Sequence, residues 1–136
     1  MKILNAFSLS MLPSLTATVS TKEISLAEAQ QYAAHALHIE SGVGHADTAA
    51  LFTRLLDVNV PCNRVSVLLA VGDLALVGQY TGLRLPEGTL VLPEGAAVKW
   101  VLVLVGPVEV VDYPGLTACK YYWPRPGEAV HSDLHR

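Results

Sequence analysis

Residues 98–105 read Val-Lys-Trp-Val-Leu-Val-Leu-Val, an apolar run interrupted only by Lys99. A strand with one wet face alternates apolar and polar side chains, so a run this uniform predicts a strand covered on both faces. Gly106 and Pro107 follow, which ends or kinks the strand, and Val108–Val111 reads as an edge continuation. Extended to Val111, the stretch contains Lys99, Gly106, Pro107 and Glu109 and is too short to span a bilayer. The expectation is a soluble, cytoplasmic protein with no membrane partner.

A strand buried on both faces needs neighbours, and the upstream sequence supplies them. Leu74–Tyr80 and Asn63–Val71 read as two strands joined at Gly72-Asp73, a pair whose length and composition suit a tight hairpin. Lys2–Phe7 reads as a short strand, a Ser-rich bend ends at Pro13, and Leu15–Ser20 reads as a further strand. Ser25 followed by Glu28 is a capping box that opens a helix, with Leu26, Ala29, Ala33, Ala36 and Leu37 on one face. Ser41-Gly42-Val43-Gly44 then breaks the chain ahead of a second helix from about His45 to Leu56, striped by Ala49, Phe52, Leu55 and Leu56. Together these elements predict an α/β fold: a single domain with a mixed central β-sheet flanked by helices. From Tyr113 the composition changes, with Pro114, Gly115, Pro124, Pro126 and Gly127 punctuating an aromatic tail. Residues 1–113 are therefore read as the domain and 114–136 as an irregular extension, whose Tyr121-Tyr122-Trp123 packs on the domain or on a partner.

The 136 residues are 51% hydrophobic and 15% charged, which fits a core-rich domain that also buries surface against another subunit. A net charge of -3 argues against a broad electrostatic grip on DNA or long RNA. A small anion remains compatible, because a few arginines and backbone N–H groups can hold it locally. Cys62 and Cys119 form no disulfide framework, have no metal-ligand spacing and are read as packing residues. The five histidines include no His-Glu-x-x-His pair, and His35 with His38 reads as a helix face rather than a metal pair. No metal and no cofactor are expected. Asn5, Ser8, Ser10 and Pro13 interrupt the apolar N-terminal stretch too often for a secretion signal.

Three stretches stand at strand ends or helix starts, where side chains and free N–H groups can meet a ligand: Asn5-Ala6-Phe7-Ser8, Gly42-Val43-Gly44-His45 and Arg84-Leu85-Pro86-Glu87-Gly88. His45 sits at a helix mouth, with Asp47 in the first turn against the positive end of the helix dipole. Singly, each stretch is what any helix start or surface turn looks like.

Taken in order, the chain resembles the type III anti-CRISPR ring nuclease family, small viral and bacterial proteins that degrade cyclic tetra-adenylate. Four motifs over roughly residues 2–105 carry the resemblance: Asn5 to Leu12, Gly44-His45 with Thr48, Asn63-Arg64-Val65, and Arg84 to Gly88. Departures accompany them. Ala46-Asp47 follows His45 where many members place the acidic residue directly, Ser10 stands for Asn, Leu83 for Gln, and the segment after Gly88 is short and holds Pro93 and Gly95.

The resemblance implies metal-independent cleavage by attack of a ribose 2′-hydroxyl on the adjacent phosphorus. His45 would protonate the leaving 5′-oxygen, Arg84 would hold the phosphate, and Glu87 would orient either of them or touch a ribose. Asn5, Ser8, Ser10, Gly44, Thr48 and Arg64 would bind ligand or support the site. It further implies a homodimer with the ring across its two-fold axis, cut into linear di-adenylates, so that type III CRISPR signalling is switched off or evaded. Two other readings accompany this one: a non-catalytic cyclic-nucleotide sensor or sponge, and a structural or interaction protein.

Overall fold

In the computed structural model, which describes residues 1–86, 91–106 and 124–127, the apolar run becomes the interior of a ten-residue strand. Among the described residues, five strands form one mixed sheet: β1 (Lys2–Leu4), β2 (Thr18–Ile24), β3 (Glu40–Ser41), β4 (Leu74–Thr81) and β5 (Ala97–Gly106). Their order is β2-β5-β4-β1-β3. β5 pairs antiparallel with β2 and β4, while β1 pairs parallel with β3 and β4.

Side chains of β5 leave the sheet on both faces, as the run predicts. Trp100 and Leu102 pack with Ile3, Leu76 and the apolar stripes of both helices, α1 (Leu26–His35) and α2 (Ala46–Leu56). Val103 and Val105 pack on the opposite face with Leu4, Ala75, Val77 and Leu69, bordered by Phe7, Met11 and Leu12. Both helices thus share one face, and a single 3-10 turn (Leu9–Met11) with the chain around Leu69 covers the other.

The capping box opens α1 as expected: the Glu28 N–H donates to Ser25 Oγ at 3.1 Å, and the Ser25 N–H donates to Glu28 Oε1 at 3.3 Å. The helix stops at His35 because Ala36 turns extended, which leaves Leu37 wholly exposed rather than on the apolar face. Tyr32 takes the buried place instead, its hydroxyl donating to the Pro124 carbonyl at 2.7 Å. Pro124, the start of the short described piece of the extension, is fully buried there. α2 ends at Asp57, which adopts the left-handed conformation (φ 57°) and donates its N–H to Thr53 O, an αL cap made without glycine.

Several expectations need correction. Asn63–Val71 is not a strand, although Gly72-Asp73 does turn sharply (Gly72 φ 91°; Asp73 N–H to Ala70 O, 3.0 Å). The reason is that both edges of β4 are already taken, by β5 on one side and β1 on the other, so no edge is left for a hairpin partner. β2 begins at Thr18 and continues to Ile24 because it pairs along β5 from Gly106 to Trp100; Leu15 lies outside it and is exposed. β1 ends at Leu4 rather than Phe7, and the two-residue β3 beside it has too little sequence to show a period. Cys62 is exposed, not packed. The expected end of β5 at Pro107, the edge at 108–111, the boundary at 113, Cys119 and Tyr121–Trp123 lie outside the described residues. Among the described residues, no helix is long and apolar enough to cross a membrane.

One contact seats α2 on the sheet. The Phe52 ring meets Trp100 at a centroid distance of 4.9 Å and 56°, over Gly78 of β4. A Cβ at position 78 would lie 2.5 Å from Phe52 Cζ and 2.6 Å from Trp100 Cζ3, so only glycine leaves the rings room. Gly78→Ala is expected to lower stability by about 1–3 kcal/mol through overpacking, read as a lower urea midpoint at unchanged m-value. An unchanged midpoint would show that the rings can move apart without cost.

Candidate functional site

β3, β1 and β4 run parallel, so their carboxyl ends open on the same edge of the sheet. The chain reaches β3 on one side of β1 and β4 on the other, which makes β1 the point where strand order reverses. Crevices form at such points because successive connections diverge there. The cleft found at this place has a volume of about 430 Å³. Asn5 enters it from the end of β1, Gly42, Gly44 and His45 from the end of β3, and Arg64 and Ser66 from the connection between α2 and β4.

The loop between β3 and α2 is held by a dense set of hydrogen bonds. The buried Ser41 hydroxyl donates to the Pro61 carbonyl at 2.5 Å and accepts from the Val43 N–H at 3.2 Å. The Gly42 N–H donates to Ile3 O, continuing the β1 register by one residue. A side chain at position 42 would strike Leu4 Cδ2 at 2.6 Å and Val67 Cγ2 at 2.7 Å, so close approach is what requires glycine there. Asn63 and Arg64 bond to the same loop: Asn63 N–H to Val43 O (2.7 Å), Asn63 Nδ2 to Ser41 O (2.9 Å) and Arg64 Nε to Gly44 O (2.8 Å).

His45 is the N-cap of α2. Its carbonyl accepts the first helical bond from Ala49, while its exposed imidazole makes no capping bond and is left to the cleft. The amides of Ala46 and Thr48 precede the first intrahelical donor and carry the positive end of the helix dipole. Arg84 approaches the same first turn from another side, across a cavity of about 530 Å³ that it shares with Ala46, Asp47, Leu85 and Pro86. Leu85 is buried and anchors that loop, while Arg84 is exposed.

The structure thus gathers Asn5, Gly44, His45 and Arg64 in one cleft and sets Arg84 beside the helix turn that borders it. Ser8 and Ser10 belong to the 3-10 turn, where their exposed hydroxyls lie 3.1 Å from each other; neither lines the cleft. Thr48 is half-buried within α2 and Glu87 lies outside the described residues. Ser41 and Asn63 were missed as site residues. The only signal for them was the polar pair Asn63-Arg64 at the head of an apolar segment. His35 and His38 do not share a helix face, since α1 ends at His35; its Nδ1 bonds to Gln31 O, and His38 pairs with Glu40 at 3.5 Å. Among the described residues, no group of three or more His, Cys, Asp or Glu is placed to hold a metal ion.

The family model described as STIV B116-like matches residues 1–96, and the chain belongs to that family. "Uncharacterized protein 26" of Sulfolobus islandicus filamentous virus (isolate Iceland/Hveragerdi) is 34% identical over 89 residues, covering 65% of this chain and 74% of that protein. The solved structure of B116 of Sulfolobus turreted icosahedral virus superposes with a TM-score of 0.66 at 24% identity, over 76% of this chain and 97% of that one. That likeness establishes the α/β fold.

The family match corrects the resemblance drawn from the motifs: the family is STIV B116-like, not the type III anti-CRISPR ring nucleases. The physical reason for the misreading is plain. Gly-His-x-x-Thr and Arg-Leu-x-Glu-Gly are short patterns of a helix start and a strand end, and such places recur throughout α/β folds.

Ser41 is the buried hub of the loop that presents His45. Ser41→Ala strands a carbonyl acceptor and an N–H donor and is expected to cost about 1–3 kcal/mol, measured by urea unfolding. No measurable change would mean that the loop holds its shape without the hydroxyl.

Proposed function

We propose that the chain binds cyclic tetra-adenylate in the cleft at the carboxyl ends of β1 and β3 and cuts it without a metal ion. The single observation that carries this reading is the placement of His45. An imidazole stands exposed at a helix N-terminus, beside a guanidinium held by the same loop. Helix-opening amides attract a phosphate, and Arg64 and Arg84 add charge from two sides without the whole chain needing to be basic.

In the proposed reaction a ribose 2′-hydroxyl attacks the neighbouring phosphorus and its proton passes to solvent. The bond from phosphorus to the 5′-oxygen breaks, that oxygen takes the proton of the His45 imidazolium, and a 2′,3′-cyclic phosphate remains. Imidazole suits the task because its two ring nitrogens can both hold and release a proton, as general acid–base catalysis requires. Arg84 neutralises charge on the phosphate, Asn5 and Arg64 position the ligand, and Glu87 is assigned to orientation. With relatives in viruses of Sulfolobus, the reaction would take place in host cytoplasm and remove a signalling nucleotide.

A ring with two-fold symmetry asks for two histidines, hence a homodimer. Two features support a second copy beside the cleft. Val65 and Leu68 are 54% and 66% exposed, on the segment that supplies Arg64 and Ser66. Among the described residues, no backbone–backbone hydrogen bond involves residues 65–68, so their N–H and C=O groups are open to a second copy.

Incubation of the ring with protein in EDTA should yield linear di-adenylates. His45→Ala should bind it with unchanged Kd and lose about 10²- to 10⁴-fold in single-turnover rate, roughly 2.7 to 5.4 kcal/mol of barrier. Cleavage at the wild-type rate by folded His45→Ala protein sinks the catalytic assignment. Tight binding with no cleavage by the wild type would make the protein a sponge. Separately, sedimentation should show a dimer that the Val65→Lys, Leu68→Lys double variant converts to monomer; a monomeric wild type at micromolar concentration overturns the shared site.

A further inference from the structure

Resting on the reading of His45 just given, we infer that Asn63 is a positioning residue, which holds the Gly42–Gly44 loop and through it sets the His45 imidazole against the ligand. The inference starts from how that loop is restrained. It contains two glycines in three residues, and glycine has the most backbone freedom to lose on folding. Neither has positive φ, and close packing requires glycine at position 42. Gly42 lies against Leu4 and Val67, and a Cβ on Gly44 would lie 3.4 Å from the Arg64 side chain. A loop so stripped of side chains must be held from outside.

Asn63 does this with both of its amide groups. The backbone N–H reaches Val43 O at 2.7 Å and the side-chain Nδ2 reaches Ser41 O at 2.9 Å. These two carbonyls are alternate ones on the same short stretch, so one residue grips the loop at two points. Its neighbour Arg64 takes the next carbonyl, Gly44 O, directly before His45. Three of the four carbonyls from residue 41 to 44 are thus bound from residues 63 and 64. The Ser41 hydroxyl ties the return path by donating to Pro61 O. A shift of the 61–64 chain therefore carries the loop and the N-cap with it. Misplacement of a reacting group by about 1 Å costs on the order of a hundredfold in rate, so such a clamp acts on turnover more than on affinity.

The test uses Asn63→Leu, which keeps the volume and removes the side-chain donor, with Asn63→Ser in reserve should the Leu protein fail to fold. Without ligand, amide exchange at Gly42 and Val43, whose N–H groups are hydrogen-bonded, should rise about tenfold, the loss expected from one hydrogen bond, while Ala29 and Ala33 in α1 stay unchanged. With the ring, kcat should fall tenfold or more at a Kd within about twofold, and in a His45→Ala background the same change should cost nothing further. Unchanged exchange at Gly42 and Val43 overturns the inference. So does an equal loss of rate in the His45→Ala background, which marks a merely structural residue, or a weakened Kd at unchanged kcat, which marks a ligand contact. If wild-type protein does not cut the ring, the cleavage reading fails, and the exchange measurement still decides whether Asn63 holds the loop.

Discussion

Phe52 of α2 lies over Gly78 of β4 with its ring against Trp100 of β5, and the placement of the cleft follows from that seat. Burial of a phenylalanine contributes about 1.5–3 kcal/mol, and a tilted aromatic pair adds about 0.5–1.5 kcal/mol. The contact fixes the helix on two strands at once. His45 then lies seven residues toward the N-terminus, about 10 Å along the axis, which brings the helix mouth to the carboxyl ends of β1 and β3. The glycine is as necessary as the rings, because any side chain there would lift α2 off the sheet and move its N-terminus with it.

The cleft is built from pieces that owe their meeting to the parallel strands. β1 contributes Asn5, β3 contributes the loop ending at His45, and β4 leads to Arg84. An antiparallel arrangement of the same strands would send these ends to opposite edges. In a chain with a net charge of -3, two arginines and a helix N-terminus still converge within one region. The opposite edge of the sheet is of mixed charge: Lys2 pairs with Asp73 at 3.2 Å and with Glu40 at 3.8 Å, next to His35 and His38.

Membership of the STIV B116-like family and the likeness to B116 speak to ancestry and architecture, and a fold hosts many chemistries. What a given chain does lies in the side chains of its site. In this one the informative features are local: an uncommitted imidazole at a helix cap, a guanidinium spent in part on the loop that carries the imidazole, and a loop with three of its carbonyls bound from residues 63 and 64.

How much of this could be read beforehand depended on how local each cause was. The α2 helix, its stripe through Ala49, Phe52 and Leu56, the Ser25–Glu28 box and the doubly covered Val98–Val105 strand were legible because their signals lie within one turn or one strand period. The sequence by itself determined those elements, and it placed His45 at a helix mouth. Tertiary structure decided the rest. Whether Asn63–Val71 becomes a strand depends on a free edge, and β4 has none once β1 and β5 have paired with it. Where β2 begins depends on the length of β5, and β3 exists only because β1 lies beside it. The roles of Ser41 and Asn63 arise from bonds across about twenty residues of chain, and no local pattern records which carbonyl a distant amide will meet. Periodicity is a property of neighbours in sequence, whereas edges, notches and clamps are properties of neighbours in space.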